Sequence, residues 1–294
     1  MKKTYQHARR IAVTGIAVSG LLAVLKIVVG LQADSTAVVA DGFESAADVI
    51  SGGLVWFGLI IASRPADEDH PYGHGRFEIL TGLAIGVLLF ATGLSISWQS
   101  LQQVGVPSPV PQSYALVALV ISIAAKTYMS YAKIHYARRM RSEALLADGK
   151  NDMVDILSGT VALVAVTLTL SDPERFAEAD HYGGIAVGVI VSFLGTQVVR
   201  ETALHLMDTM PEDKKLQEIR RVALSVKGVE AVEKCYARKT GMQYHVDLHL
   251  QVDPHMTVRD SHEIAGTVKT TLRGRLDWVA NVMVHVEPWG SDPN

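Results

Sequence analysis

The sequence predicts a helical membrane protein: six transmembrane spans over residues 1–208, then a small α+β domain over 209–294. Three observations carry that reading. Of the 294 residues, 49% are hydrophobic, and they gather in long blocks. Each block is near or above the ~20 residues that carry a helix across a bilayer. Beyond about residue 208 the blocks stop and shorter helical and strand-like periods begin. Finally, carboxylates recur inside the apolar blocks at helical spacing, where a lone charge costs at least ~3 kcal/mol.

The six blocks run over 11–31, 36–62, 78–104, 113–137, 144–170 and 182–206. The basic start, Met1 to Arg10, resembles the head of a signal peptide. The apolar run behind it is long for a signal core and lacks a small-residue cleavage site, so it reads as a retained first span. Arg64 and Arg76 flank the connection between spans two and three, and His135 to Arg141 makes a basic end to span four. The connections at 32–35, 105–112 and 171–181 hold one basic residue together, Arg175. The positive-inside rule then puts both termini and the basic loops in the cytoplasm. Glycines are frequent in spans two, three and six, where they let helices approach closely. Lys26 and Lys126 also fall within spans. Lys26 is placed to snorkel to an interface, whereas Lys126, near the middle of span four, is expected to pair with an acidic stripe.

In the remainder, Leu216, Ile219, Val222 and Ala223 mark one face of a helix over 212–225. A strand is expected over 229–237, an alternating strand over 243–252, a helix over 260–272 and a closing strand over 279–286. That order gives one sheet covered by two helices. The single cysteine, Cys235, excludes an intramolecular disulfide and a Cys-rich zinc site. Scattered basic residues give no footprint for nucleic acid.

Three constellations offer chemistry. At about 100° per residue, Asp41, Glu44 and Asp48 fall within about 60° of one another on span two. On span five, Asp148, Asn151, Asp152 and Asp155 form a second stripe at i, i+3, i+4 and i+7. An i, i+4 pair of oxygen ligands from each helix, Glu44 with Asp48 and Asn151 with Asp155, can close a four-ligand cation site. A bound or transported cation offsets the cost of such groups in lipid; the plainer alternative is a buried polar network kept neutral for packing. The loop Asp67-Glu68-Asp69-His70-Pro71-Tyr72-Gly73-His74 has metal-ligand residue types, or is merely a solvated acidic loop. On the strand at 243–252, His245, Asp247 and His249 share a face, with His262 and Glu263 on the next helix and His285 and Glu287 ending the last strand. Inert surface histidines are the competing explanation there.

Taken together these residues resemble the cation diffusion facilitator family over nearly the whole chain. The likeness rests on Ser35 to Asp41 leading into Glu44 and Asp48, on Pro65-Ala66-Asp67 with His70 to Arg76 and Glu78, on Ala147-Asp148-Gly149 with Asn151 and Asp155, and on His249 and His262. It implies a homodimeric exporter exchanging a divalent metal for protons, with a ferredoxin-like, metallochaperone-like cytoplasmic domain that dimerises and binds metal. By the same resemblance the transport site is Glu44, Asp48, Asn151 and Asp155, and the loop site Asp67, His70 and His74. The C-terminal ligands are Glu233, His249, His262, His285 and Glu287. Arg76 and Asp208 match a basic–acidic pair near the dimer seam. Asp41, Asp148, Asp152 and Lys126 are neighbours that would tune the transport site.

The sequence departs from the family pattern at Glu44 and Asn151, where His or Asp and His are usual, and Glu233 and Glu287 replace other usual ligand types. The transport site is therefore all oxygen. Zinc favours nitrogen and sulfur in tetrahedral sites, while manganese accepts carboxylate and carbonyl oxygen, so Mn2+ or Fe2+ is expected ahead of Zn2+ or Co2+. Asn151 cannot titrate, which leaves proton exchange to carboxylates. The expected partners are lipid, divalent cations and protons, in a membrane of the bacterial inner type, with no cofactor beyond the transported metal. A metal-sensing or assembly protein that moves no ion is a weaker alternative, since sensing does not need two intramembrane stripes. An enzyme is weaker still, since no His-Glu-x-x-His run occurs.

Overall fold

The computed structural model describes residues 2–32, 36–105, 112–172 and 179–290; within the helices a few side chains, those of Asp41 and Glu44 among them, lie outside the description. The connections expected at 32–35, 105–112 and 171–181 fall largely outside it too. The chain forms two compact units, Met1–Ala203 and Leu204–Asn294.

The first unit is built from α1 (Lys2–Gln32), α2 (Thr36–Ala62), α3 (Arg76–Gln103), α4 (Ala115–Met140), α5 (Glu143–Ser171) and α6 (Ala179–Leu206). Among the described residues, these six helices are long and apolar enough to cross a membrane. Helix α1 begins nine residues before the expected apolar boundary at 11, because lysine and arginine are good helix formers. Hydropathy marks where lipid contact starts, not where the helix starts. Leu21, Ile50, Trp98 and Phe193 lie on the outside of the bundle, a pattern suited to lipid and costly in water. Helices α3 and α6 pass very close together: a Cβ on Gly93 would run into the Ser192 amide nitrogen. Small residues permit that approach in a bilayer.

The turn between α4 and α5 sets the direction in which those two helices run. Arg141 adopts a left-handed conformation (φ 61°) and its N–H donates to the Ala137 carbonyl, ending α4. Ser142 then caps α5, its Oγ accepting from the Leu145 N–H at 3.2 Å. The fully buried Glu78 of α3 accepts from the Ala144 N–H at 3.2 Å, placing a carboxylate at the positive end of α5. So short a connection makes α4 and α5 antiparallel neighbours.

The second unit contains α7 (Asp213–Leu224), β1 (Ala231–Thr240), β2 (Gln243–Val252), α8 (Val258–Arg275) and β3 (Val279–Pro288). The sheet order is β1-β2-β3, with β1 and β2 antiparallel and β2 and β3 parallel across the α8 crossover. Val246, Leu248 and Leu250 of β2 join Ile219 and Ala223 of α7 and Val268 and Leu272 of α8 in one core. Each large aliphatic side chain buried there contributes about 1.5–3 kcal/mol. The opposite face of β2 carries His245, Asp247 and His249, each only partly buried.

Candidate metal centres

The intramembrane centre is set by the α4–α5 register. Asp148, Asp152 and Asp155 share one face of α5, and Lys126 and Lys133, two turns apart, share one face of α4. Running antiparallel, the two rows interlock. Lys133 Nζ lies 3.0 Å from Asp148 Oδ2 and 2.6 Å from Asp152 Oδ2. Lys126 Nζ lies 3.0 Å from Asp152 Oδ1 and 2.7 Å from Asp155 Oδ2. Gly149 makes this possible, because a Cβ there would sit 3.1 Å from Lys133 Cβ and 3.2 Å from the Ile134 amide nitrogen. All of these charged side chains are at most 5% exposed, where unpaired charge is very costly.

Helix α2 enters the same cluster. Asp48 Oδ2 lies 2.8 Å from Lys126 Nζ, and Asp48 Oδ1 accepts from Asn151 Nδ2 at 2.6 Å. Helix α1 adds Ser19, whose Oγ accepts from Lys126 Nζ at 3.1 Å. The structure thus brings Asp48, Asp152 and Asp155 together around one ammonium, with Asn151 bonded to Asp48, and Lys126 meets both acidic stripes. Glu44 and Asp41 stand on α2, but their side chains lie outside the described residues. The expectation that Lys26 snorkels to an interface is corrected: it is 1% exposed and donates to Ser45 Oγ at 2.9 Å. Ser45 of α2 gives it a hydroxyl acceptor inside the bundle. Lys133 was missed by the sequence reading. Its spacing of seven from Lys126 was the available signal, since it places both on one helical face.

The loop between α2 and α3 gathers Asp67, His70 and His74, with ligand atoms all within 4.8 Å of one another. Asp67 Oδ1 accepts from the His70 backbone N–H at 2.7 Å and faces His70 Nδ1 at 3.1 Å. His74 Nδ1 is 3.2 Å from the Pro65 carbonyl, while its Nε2 faces Asp67 Oδ2 at 3.4 Å. A carbonyl on one ring nitrogen leaves the other free to ligate. The His70 backbone N–H, helped by the two imidazoles, holds the Asp67 carboxyl below its ordinary value. That keeps it an acceptor.

In the second unit, strand pairing aligns His249 with His285. His249 Nδ1 lies 2.6 Å from Glu287 Oε1, and His285 Nε2 lies 3.5 Å from the same oxygen. A β-bulge between Val232 and Cys235 takes Glu233 out of the ladder. Arg220 Nη1 fastens the bulge, donating to the Val232 carbonyl at 2.6 Å. Glu233 thereby reaches Glu287: a hydrogen bond shared between them, and then His249, hold the Glu287 carboxyl below its usual range. His262 does not join this group. It is exposed on α8, and α8 covers the face of the sheet opposite to His249. Arg76 opens α3 in the first unit and Asp208 follows α6 in the second. Within its own unit Asp208 lies 3.8 Å from Arg238.

Carboxylates from two membrane spans meet on the ammonium of Lys126 inside the bundle, and ionisable groups within a membrane commonly mark an ion pathway. Residues 12–207 match the family description "Cation efflux transmembrane domain", and residues 211–289 match "Cation efflux protein, cytoplasmic domain". The chain belongs to the cation diffusion facilitator family: it is an integral membrane transporter for divalent metal cation efflux, not an enzyme. It is 27% identical to "Manganese efflux system protein MneP" of Bacillus subtilis over 97% of each chain. It is 31% identical to "Uncharacterized transporter MJ0449" of Methanocaldococcus jannaschii, over 91% of this chain and 93% of that one. "Magnetosome protein MamB" of Magnetospira sp. is 27% identical over 89% of this chain and 88% of its own.

Proposed function

We propose that this chain, as a homodimer in a bacterial inner membrane with both termini cytoplasmic, exports Mn2+ or Fe2+ in preference to Zn2+, in exchange for protons. The observation that carries the reading is the convergence of Asp48 from α2 and Asp155 from α5 on one cation, at 2.8 and 2.7 Å. Together with the residue types at Asn151 and Glu44 they offer a ligand set without nitrogen or sulfur donors of the imidazole or thiolate kind, which suits manganese better than zinc. The likeness to a protein named for manganese efflux supports the same choice. On the side of the site toward the start of α2, Val38, Ala118, Leu119 and Val166 form an apolar layer. Such a layer would close the far side of a carrier whose site is reached from the other.

The cytoplasmic sites carry a different preference. Asp67, His70 and His74, and Glu233, His249, His285 and Glu287, mix imidazole, which suits zinc and iron, with carboxylate, which suits manganese. We assign them to cytoplasmic metal binding, not to the transport step, and set His262 apart from them within one chain.

The test is transport by purified protein in proteoliposomes over a panel of Mn2+, Fe2+, Co2+ and Zn2+, with internal pH recorded. Asp48→Ala and Asp155→Ala should each abolish transport while the dimer survives. Near-normal transport in either removes the site assignment. Metal transport without proton flux in the parent removes the exchange.

A further inference from the structure

The cation already held at the intramembrane centre belongs to the chain itself. We propose that Lys126 is a tethered ammonium that occupies the metal position between Asp48 and Asp155, and that this competition excludes monovalent cations from the transport site. The proposal rests on the assignment of Asp48 and Asp155 as transport ligands and adds what decides entry.

Four features of the structure support it. Lys126 Nζ is within 2.8 Å of one oxygen of each of those carboxylates, so a metal ion cannot bind both until the ammonium withdraws. Somewhere to withdraw is built in: Asp152 Oδ1 at 3.0 Å and Ser19 Oγ at 3.1 Å already hold the same nitrogen from other directions. Lysine carries its charge on a flexible four-carbon stem, so small rotations would shift the balance from one pair of partners to the other. Asp152 can take that load because Lys133 also steadies it, at 2.6 Å. Finally, among the described residues of this cluster four carboxylates, Asp48, Asp148, Asp152 and Asp155, face the two ammoniums of Lys126 and Lys133. Those four carboxylates exceed the two ammoniums by two negative charges, so negative charge remains for an incoming cation once Lys126 has moved aside.

The selectivity follows from charge. A free Na+ or K+ brings the same single charge as the ammonium but must also lose translational freedom, which a tethered group has already lost. It cannot win. A divalent ion interacts twice as strongly with each carboxylate and can displace the ammonium. A lysine that served only to neutralise the interior would show no such asymmetry.

The experiment measures Mn2+ binding to the full chain in detergent, with and without excess Na+. Binding that Asp155→Ala abolishes is assigned to the transport site. Lys126→Met should bind Mn2+ at least tenfold more tightly there, and Na+ should now compete. Lys126→Arg, which keeps the charge, should keep weak, Na+-insensitive binding. Parental or weaker Mn2+ affinity in Lys126→Met, or no competition by Na+, overturns the proposal. Should Lys126→Met fold poorly without metal, Lys126→Gln and Mn2+-dependent thermal shifts decide the matter. Stabilisation by Mn2+ larger than in the parent supports the tethered competitor. Variants that stay unfolded at saturating Mn2+ show a purely structural ion pair and overturn it. If Asp155→Ala removes no Mn2+ binding, the assignment of the transport site fails instead, and that outcome is read from a different variant.

Discussion

Lys133 gives the sharpest stability test, because its partners are few and its environment is dry. Its side chain is 3% exposed and its ammonium lies 3.0 Å from Asp148 and 2.6 Å from Asp152. At that separation, with an effective dielectric near 20, the gross attraction to Asp148 is about 5 kcal/mol. Desolvation offsets much of it, so the intact pair adds little net stability, but breaking a buried pair from one side costs about 3–5 kcal/mol. Lys133→Met leaves Asp148 with no ammonium from α4, whereas Asp152 keeps Lys126. For a chain of this size a loss of that order lowers Tm by on the order of 10 °C. The double variant Lys133→Met/Asp148→Asn removes the stranded charge and should recover at least half of the loss. The assay is thermal unfolding of purified protein in one detergent, with the four members of the cycle side by side. Strict additivity, or a Lys133→Met protein as stable as the parent, would refute the claim that this pair locks α4 to α5.

Three further outcomes concern single positions. The Glu287 carboxyl is held low by Glu233 and His249, so its contribution is present above its unfolded pKa and fades as pH falls through the lower folded value. Thermal stability of the parent should therefore drop below about pH 4.5 more steeply than that of Glu287→Gln, for which pH titrations of Tm are the measurement. Burial pushes the Cys235 thiol up to about 11, with Arg220 only partly opposing it, so maleimide should label the native protein slowly at pH 7.5 and rapidly once urea unfolds the second unit. Gly93→Leu should cost at least ~2 kcal/mol and reduce the yield of folded protein, since even its Cβ would collide with the Ser192 backbone; a fully stable variant would mean that α3 and α6 are farther apart.

How much was legible depended on whether a feature is local. The loop cluster was readable because Asp67, His70 and His74 lie within eight residues, so one turn of chain can bring them together. Lys126 was readable as a charge needing a partner. Which partner was not, because that depends on the register of α4 against α5. Lys133 escaped notice although it lies one heptad from Lys126. A lysine near a basic helix end passes for an interface residue until the neighbouring helix is in place. Lys26 misled for the same reason, since its hydroxyl partner comes from α2.

By itself the sequence determined the number and kind of elements, because hydropathy and periodicity act within a segment. Long apolar blocks made spans. Alternation made β2, and an apolar face of Leu216, Ile219, Val222 and Ala223 made α7. It also determined the two acidic stripes, which are properties of single helices. Only the tertiary structure decided what those stripes hold. The tight turn at Arg141 and Ser142 and the missing side chain at Gly149 set one antiparallel register, and that register puts an ammonium between Asp48 and Asp155. Likewise the parallel pairing of β2 with β3 sets His249 beside His285. The same sheet, covered by α8 on its other face, keeps His262 apart. Charge pairing between segments is decided by register and face, and neither is written in the spacing of one segment alone.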